Sequence, residues 1–370
     1  MEFTQPAMVH YGRGCLLQAV PVIPGRVVAV VTGRGFARRG HWLDQVIGAL
    51  QQTGRMAVVF DQVPPEPAVE DVEACLVCLK GAGAEAVLAI GGGSVLDVGK
   101  AAAALYPGPL SVQEYLQGAP PPVTGLFMAA APTTAGTGSE ATPNAVLFSR
   151  SDREKKSIRT PGMLPRLVVL DPELTATCPP AVTAHAGMDA LVQGIEALFS
   201  RQSTPFSDTL AAAGILAVDR SLFTAYATGG HMAAREDLLY GAFLIGMAFS
   251  QVRLGAVHGL AHPVGVCTGA PHGLVCARLM PPVLRRNAAV CPAKLARLAA
   301  LLEGDPVARV EALIDALGLG RRFDAVISRA DWERLLAYTA TAGSMLANPA
   351  AFDATEQAAI LGEAGLAVEA

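Results

Sequence analysis

Three histidines, His258, His262 and His272, fall within fifteen residues of a chain that has seven in all. Imidazoles gathered in this way serve as metal ligands or as acid–base groups. His258 and His262 stand four apart, so on a helix they share a face. Gly265, Gly269 and Pro271 give the backbone places to turn, which lets His272 return to the other two. Residues 254–273 include no charged side chain, so an acidic partner must come from elsewhere. Gly187-Met-Asp-Ala-Leu-Val-Gln-Gly-Ile-Glu-Ala-Leu198 supplies one: Asp189, with Gln193 a helical turn later. A carboxylate among apolar neighbours costs several kcal/mol unless it is paired or metal-bound. The same groups could equally be polar residues satisfied inside a helical core, and residue types alone leave both readings open.

The elements that position these residues follow from the hydrophobic pattern. Arg26-Val-Val-Ala-Val-Val-Thr32 is a continuous β-branched run ending at Gly33-Arg34-Gly35, as expected of a buried parallel strand. A helix over Trp42–Gln52, a strand over Met56–Phe60 and a helix carrying Cys75 and Cys78 come next. That C-x-x-C pair lies on an amphipathic helix with no second ligand pair nearby, so packing explains it. The strand Glu85–Ile90 runs straight into Gly91-Gly-Gly-Ser94 and a helix over Val95–Leu105. Strands alternating with helices predict an α/β fold with a parallel sheet.

A glycine turn between strand and helix points backbone N–H groups and a helix N-terminus at one place, which suits a diphosphate. It is not the G-x-G-x-x-G fingerprint. After the strand Gly125–Ala131 comes Pro132-Thr-Thr-Ala-Gly-Thr-Gly-Ser-Glu140, a second loop rich in glycine and hydroxyls. Arg153, Lys155 and Lys156 follow and could meet phosphate charge. From about Pro179 the spacing becomes helical, over Ala181–Phe199, Phe206–Ala225 and Ala233–Gln251, with Gly343–Pro349 as a break between later helices. Two domains are therefore expected, 1–178 and 179–370.

Composition limits the partners. The 370 residues are 52% hydrophobic and 16% charged, with a net charge of −4. That balance argues against nucleic acid and anionic membrane. No uninterrupted apolar run of spanning length is present, so no membrane span is expected. The N-terminus lacks the basic and apolar regions of a signal peptide. Seven scattered cysteines, an odd number, suit reduced thiols in the cytoplasm.

Together the motifs resemble the iron-containing (group III) alcohol dehydrogenase family. The matching pieces are Gly91–Lys100, Pro132–Glu140, Leu170-Asp-Pro-Glu-Leu174, Gly187–Leu191, and Val257–Pro263 with Ala270-Pro-His-Gly273. They cover most of the chain in the family's order, with residues beyond about 290 contributing least. The resemblance implies a Rossmann-like parallel-sheet nucleotide-binding domain, then an all-helical domain of the dehydroquinate-synthase-like fold, with the active site in the cleft between them. It places the cofactor's diphosphate on Gly92, Gly93, Ser94, Thr133, Thr134 and Thr137, with Asp97 on the nicotinamide side and Lys156 as a further contact. It maps the family's metal site to Asp189, position 193, His258 and His272, for Fe2+ or Zn2+. His262 matches a catalytic histidine beside the nicotinamide that is not a ligand.

Three positions depart from the family pattern. Gln193 stands where the family has histidine, and an amide oxygen is a weaker ligand for these metals. Gly33 stands where NAD-preferring members carry an aspartate that binds ribose hydroxyls and repels a 2′-phosphate. With Arg34 and Arg38 adjacent, NADP(H) is expected over NAD(H). Arg253 could hold an anionic substrate tail or pair with a neighbouring helix. The implied activity is NAD(P)-dependent hydride transfer between a nicotinamide and a small alcohol/aldehyde pair, in a homodimer or larger homo-oligomer. A metal-free reductase of an anionic substrate, like maleylacetate reductase or a phosphonoaldehyde reductase, is the alternative enzyme. A non-catalytic nucleotide-binding relative is the alternative from another class.

Overall fold

A computed structural model of the chain describes residues 4–35 and 42–369, in two compact units, Met1–Cys178 and Pro179–Ala370. Arg38 lies outside the described residues.

The first unit is built on a parallel sheet of β1 (Met8–Tyr11), β2 (Val27–Gly33), β3 (Met56–Val63), β4 (Ala86–Gly91), β5 (Phe127–Pro132) and β8 (Leu167–Leu170). The strand order is β1-β8-β5-β4-β2-β3. Both faces of the sheet are covered, which is why its strands read as unbroken apolar runs. Val28, Val30, Leu88 and Ile90 pack on one face under α1 (Cys15–Ala19) and α2 (Trp42–Gln52). Ala29, Val31, Val87 and Ala89 pack on the other under α3 (Val69–Ala82), α4 (Gly93–Leu105) and α5 (Val112–Leu116). Cys75 is one of these core residues, a packing role.

The chain leaves β2 for β3 on one side and then crosses to β4 on the other, so the strand order reverses between β2 and β4. Open α/β sheets bind ligands outside the carboxyl ends of the strands at such a reversal. Here those ends are Gly33 and Gly91, held in register by Thr32 pairing with Ile90 and by the Thr32 hydroxyl donating to the Ile90 carbonyl at 2.8 Å. An antiparallel hairpin, β6 (Asn144–Ser149) with β7 (Glu154–Arg159), follows the hydroxyl loop.

The second unit contains α6 (Pro180–Phe199), α7 (Pro205–Ala227), α8 (Met232–Val252), α9 (Ala256–Thr268) and α10 (His272–Val290), followed by shorter helices. It is not purely helical: β9 (Ala325–Ile327) and β10 (Leu366–Val368) pair in parallel. The Gly343–Pro349 segment is likewise not only a break, because Gly343–Ala347 forms a short helix. By length and hydropathy α7 could cross a membrane; it lies instead against α6 and α8. Gly187 and Gly194 permit this packing, since a Cβ at Gly187 would strike Leu222 and one at Gly194 would stand 2.8 Å from Ile215. Those glycines give α6 one face for α7 and α8 and leave another for α9 and α10.

Candidate active site

In the first unit the two glycine-and-hydroxyl loops meet. A Cβ on Gly92 would stand 3.2 Å from Thr134 Oγ1, and one on Gly93 would stand 2.7 Å from Thr137 Oγ1. The Thr133 N–H donates to the Gly91 carbonyl at 3.0 Å. Gly92 is the N-cap of α4, so Gly93 and Ser94 open the helix, where the first N–H groups have no intrahelical acceptor. Thr133, Thr134 and Thr137 are half-buried beside them. The Ser94 hydroxyl accepts from the Glu66 N–H at 3.1 Å and ties the turn Pro64-Pro-Glu-Pro67 to the helix start.

Asp97 and Lys100 of α4 fasten the hydroxyl loop. Asp97 Oδ1 accepts from the Ser139 hydroxyl at 2.5 Å, and Oδ2 accepts from the Val146 N–H at 2.9 Å. The fully buried Lys100 ammonium donates to the Ser139 carbonyl at 2.8 Å and pairs with Asp97 at 3.2 Å. Lys156 stands on β7 with its charge met by Asp152 at 2.7 Å and Glu154 at 3.5 Å. Gly33 ends β2 with little room, because a Cβ there would approach the Val63 carbonyl to 3.2 Å; Arg34 beside it is exposed.

Glu140, at the end of the hydroxyl loop, is buried, and burial pushes its carboxyl up to about 7 despite nearby Lys100. A raised carboxyl stabilises the fold fully below the unfolded value near 4.5 and loses that contribution as pH rises through about 7. The loss is on the order of 3 kcal/mol. Urea unfolding of Glu140→Gln should therefore show a flatter dependence between those two values than the parent. An identical slope in both proteins would show that Glu140 does not titrate in this way.

In the second unit α6 places Asp189, Gln193 and Glu196 on one face, at spacings of four and three. Asp189 Oδ1 lies 3.2 Å from His258 Nε2 and 3.6 Å from His272 Nε2. Its Oδ2 accepts from the Gln193 amide at 2.9 Å. The two rings are 5.4 Å apart, and His262 stacks on His272 at 5.1 Å and 24°. Gly269, at φ +66°, ends α9 in the left-handed conformation, and Pro271 opens α10 with His272 as its first residue. This turn brings the third imidazole back. Gly273 seats it, since any Cβ there would strike the His185 carbonyl.

Two residues of this site were not singled out in the sequence. Glu196 Oε1 accepts from the Val257 N–H at 2.6 Å, which caps α9, while Oε2 meets His258 Nδ1 at 2.6 Å. A carboxylate at a helix N-terminus is favourable, and one behind a ligand histidine fixes which nitrogen faces the metal. Asn348, from the segment after Gly343, completes the cap by accepting from the Ala256 N–H at 3.1 Å. Cys276 is the second: its Sγ lies 3.7 Å from His258 Nε2 and 3.6 Å from His272 Nε2. Their spacing was the available signal, with Glu196 seven residues after Asp189 and Cys276 four after His272. Arg253, by contrast, is exposed at the end of α8 at φ +62°, with its guanidinium over Gly343.

The charges of these buried groups are coupled to one another. Burial alone would push Asp189 up, but His272 and His258 outweigh it and hold the carboxylate below its usual range. Burial alone would push His258 down, but Cys276, Glu196 and Asp189 hold the imidazole well above its usual range. Burial pushes the Cys276 thiol up to about 12. Asp189, His258, His272 and Cys276 offer donor atoms that all lie within 4.8 Å of one another. The Gln193 Oε1 atom is buried beside them with no hydrogen-bond partner, a cost that a bound ion or its water would relieve.

The likeness to known proteins runs the length of both units. Residues 6–172 match the family model for iron-containing alcohol dehydrogenase, and residues 183–365 match the model for the C-terminal part of that family. The probable alcohol dehydrogenase EutG of Escherichia coli is 37% identical over 267 residues, 70% of this chain and 68% of that protein. The NADPH-dependent butanol dehydrogenase of Clostridium saccharobutylicum is 33% identical over 302 residues, 81% of this chain and 77% of the relative. Among solved structures, an alcohol dehydrogenase from Oenococcus oeni superposes with a TM-score of 0.92 at 25% identity, covering 98% of this chain and 99% of the other. Sequence, fold and the buried aspartate–histidine cluster agree, and the chain belongs to the iron-containing alcohol dehydrogenase family.

Proposed function

We propose that this protein catalyses reversible hydride transfer between NADP(H) and a small alcohol/aldehyde pair, with a divalent metal at Asp189, His258 and His272. The chain is an oxidoreductase acting on CH–OH groups. The observation that carries the reading is the buried convergence of Asp189 Oδ1 with the Nε2 atoms of His258 and His272, at 3.2 and 3.6 Å. Asp189, His258 and His272 would hold a metal that would supply Lewis-acid polarisation of the substrate oxygen, and a bound nicotinamide would supply the hydride chemistry.

The remaining steps belong to the chain. The opening N–H groups of α4 and the hydroxyls of Thr133, Thr134 and Thr137 receive the cofactor diphosphate at the strand-order reversal. Asp97 and Lys100 keep that loop in place. Glu196 orients His258, and Gln193 holds the second oxygen of Asp189. His262 moves a proton to or from the substrate oxygen. Seven free cysteines among the described residues suit a reducing compartment such as the cytoplasm. The exposed Met8 and Val9 on the edge strand β1 support self-association, at least as a dimer.

The cofactor preference rests on Gly33 and the exposed Arg34, and the NADPH dependence named for the Clostridium relative supports it. Kinetics with an aldehyde panel and both cofactors, on protein of known metal content, test the whole reading. NADPH is expected to give the higher kcat/KM. Gly33→Asp should shift the ratio toward NADH by about tenfold, the equivalent of about 1.4 kcal/mol of like-charge repulsion. Better turnover with NADH in the parent protein would overturn the preference, and no turnover of any aldehyde would overturn the function.

A further inference from the structure

His272 and Cys276 are one helical turn apart at the start of α10, so both side chains reach the same space beside Asp189 and His258. The thiol is completely buried. Its distances to the two imidazole nitrogens, 3.7 and 3.6 Å, are those of weak hydrogen bonds between sulfur and a ring nitrogen. They are also the right length for ligands of one ion. With zinc bond lengths of about 2.3 Å to sulfur and about 2.0 Å to nitrogen or oxygen, tetrahedral ligands stand about 3.5 Å apart for sulfur–nitrogen and about 3.3 Å for oxygen–nitrogen. The carboxylate oxygen, at 3.2 and 3.6 Å from the same nitrogens, falls close to the second value.

Gln193 behaves differently. It turns its amide nitrogen toward Asp189, 2.9 Å from Oδ2, and its own oxygen is the buried atom left without a partner. The donor N–H facing the carboxylate fixes Asp189 and leaves only Oε1, a weak neutral donor, for an ion.

We propose that Cys276 is a metal ligand, taking with Asp189, His258 and His272 the place that Gln193 leaves weak, and that its thiolate makes the site select zinc over iron(II). This rests on the metal-dependent reading above and adds the sulfur to it. A soft thiolate favours zinc over harder-liking ions. As the sulfur–metal bond forms, the thiol proton leaves to solvent, and no electron is transferred. Zinc can expand from four to five ligands, which leaves room for a substrate oxygen.

The test uses the full chain, stripped with a chelator and reloaded with cobalt(II) under argon as a coloured stand-in for zinc. The expected result is a thiolate-to-cobalt charge-transfer absorption in the near ultraviolet. It should vanish in Cys276→Ser and Cys276→Ala, with zinc affinity falling by more than about a hundredfold, since even an outer-shell loss costs about 10–100-fold. Offered equal zinc and iron(II), the parent should take zinc, and the serine variant should show a smaller preference for it. Thermal melting of the metal-free proteins checks that each variant folds. Cobalt bound without the sulfur band, an unchanged spectrum in Cys276→Ser, or no cobalt bound at all would each overturn the assignment. Aldehyde turnover without the sulfur band would remove Cys276 and leave the dehydrogenase standing; the band without turnover would do the reverse.

Discussion

Changing Asp189 to asparagine is expected to strip the protein of its metal and to lower kcat/KM for aldehyde reduction by about three orders of magnitude, the worth of several kcal/mol of transition-state stabilisation. The carboxylate is the one oxygen ligand of the cluster, and His272 and His258 keep it ionised in spite of burial. Asparagine keeps the volume, and its carbonyl can still accept from the Gln193 amide that now bonds Oδ2. Its amide nitrogen would then take the position of Oδ1, 3.2 Å from His258, and present hydrogens where a metal requires a lone pair. Helix packing around α6 is untouched, but His258 and His272 lose a buried carboxylate partner, so the metal-free melting temperature should fall below that of the parent. Elemental analysis of the purified variant, alongside kinetics, checks the expectation. A full equivalent of metal with parental turnover would show that the site does not depend on this carboxylate.

How far the site could be read from the sequence depended on how each residue announces itself. The parallel strands are buried on both faces, so Val27–Gly33 and Ala86–Gly91 stand out as apolar runs cut off by glycines. Edge and hairpin strands give no such run. Met8–Tyr11 is four residues long and mostly exposed, β6 alternates between buried and half-buried positions, and β7 buries only Ile158. The lysines of β7 look from the sequence like phosphate partners, yet Lys155 reaches Glu66 at 2.9 Å and Lys156 is met within the hairpin.

Asp189, His258 and His272 were legible because carboxylates and imidazoles are rare among apolar neighbours. Cys276 was not, because a buried cysteine looks like any small hydrophobe until its neighbours are known. Glu196 was hidden for another reason: its role depends on α9 starting at Gly255, where a Cβ would stand 2.9 Å from its carboxylate. The contact between the glycine turn and the hydroxyl loop also needed three dimensions. Their sequences suggest a shared ligand, and only the approach of Thr134 to Gly92 and Thr137 to Gly93 brings the hydroxyls beside the start of α4.

Replacing His262 by alanine is expected to lower kcat by about 10²–10⁴-fold, the usual contribution of a positioned proton-transfer group, with little change in NADPH affinity. The residue sits one turn after His258 on α9, and its ring stacks on that of His272 at 5.1 Å. His258 is buried, whereas His262 and His272 are both partly open. A ligand gains from exclusion of water, but a proton carrier must exchange with it. Pro263 follows within the helix and has no N–H to offer the turn before it, which locally frees the backbone around His262. His262→Gln, which retains hydrogen bonding without a titratable ring, should be as slow as alanine if proton transfer is what is lost. The pH profile of kcat provides the second readout: both variants should lose a limb that the parent shows. Metal content should remain full in both, which separates this loss from that in the Asp189 variant. Turnover and pH profile unchanged in His262→Ala would exclude the imidazole from the reaction and send the search for the proton donor to the solvent itself.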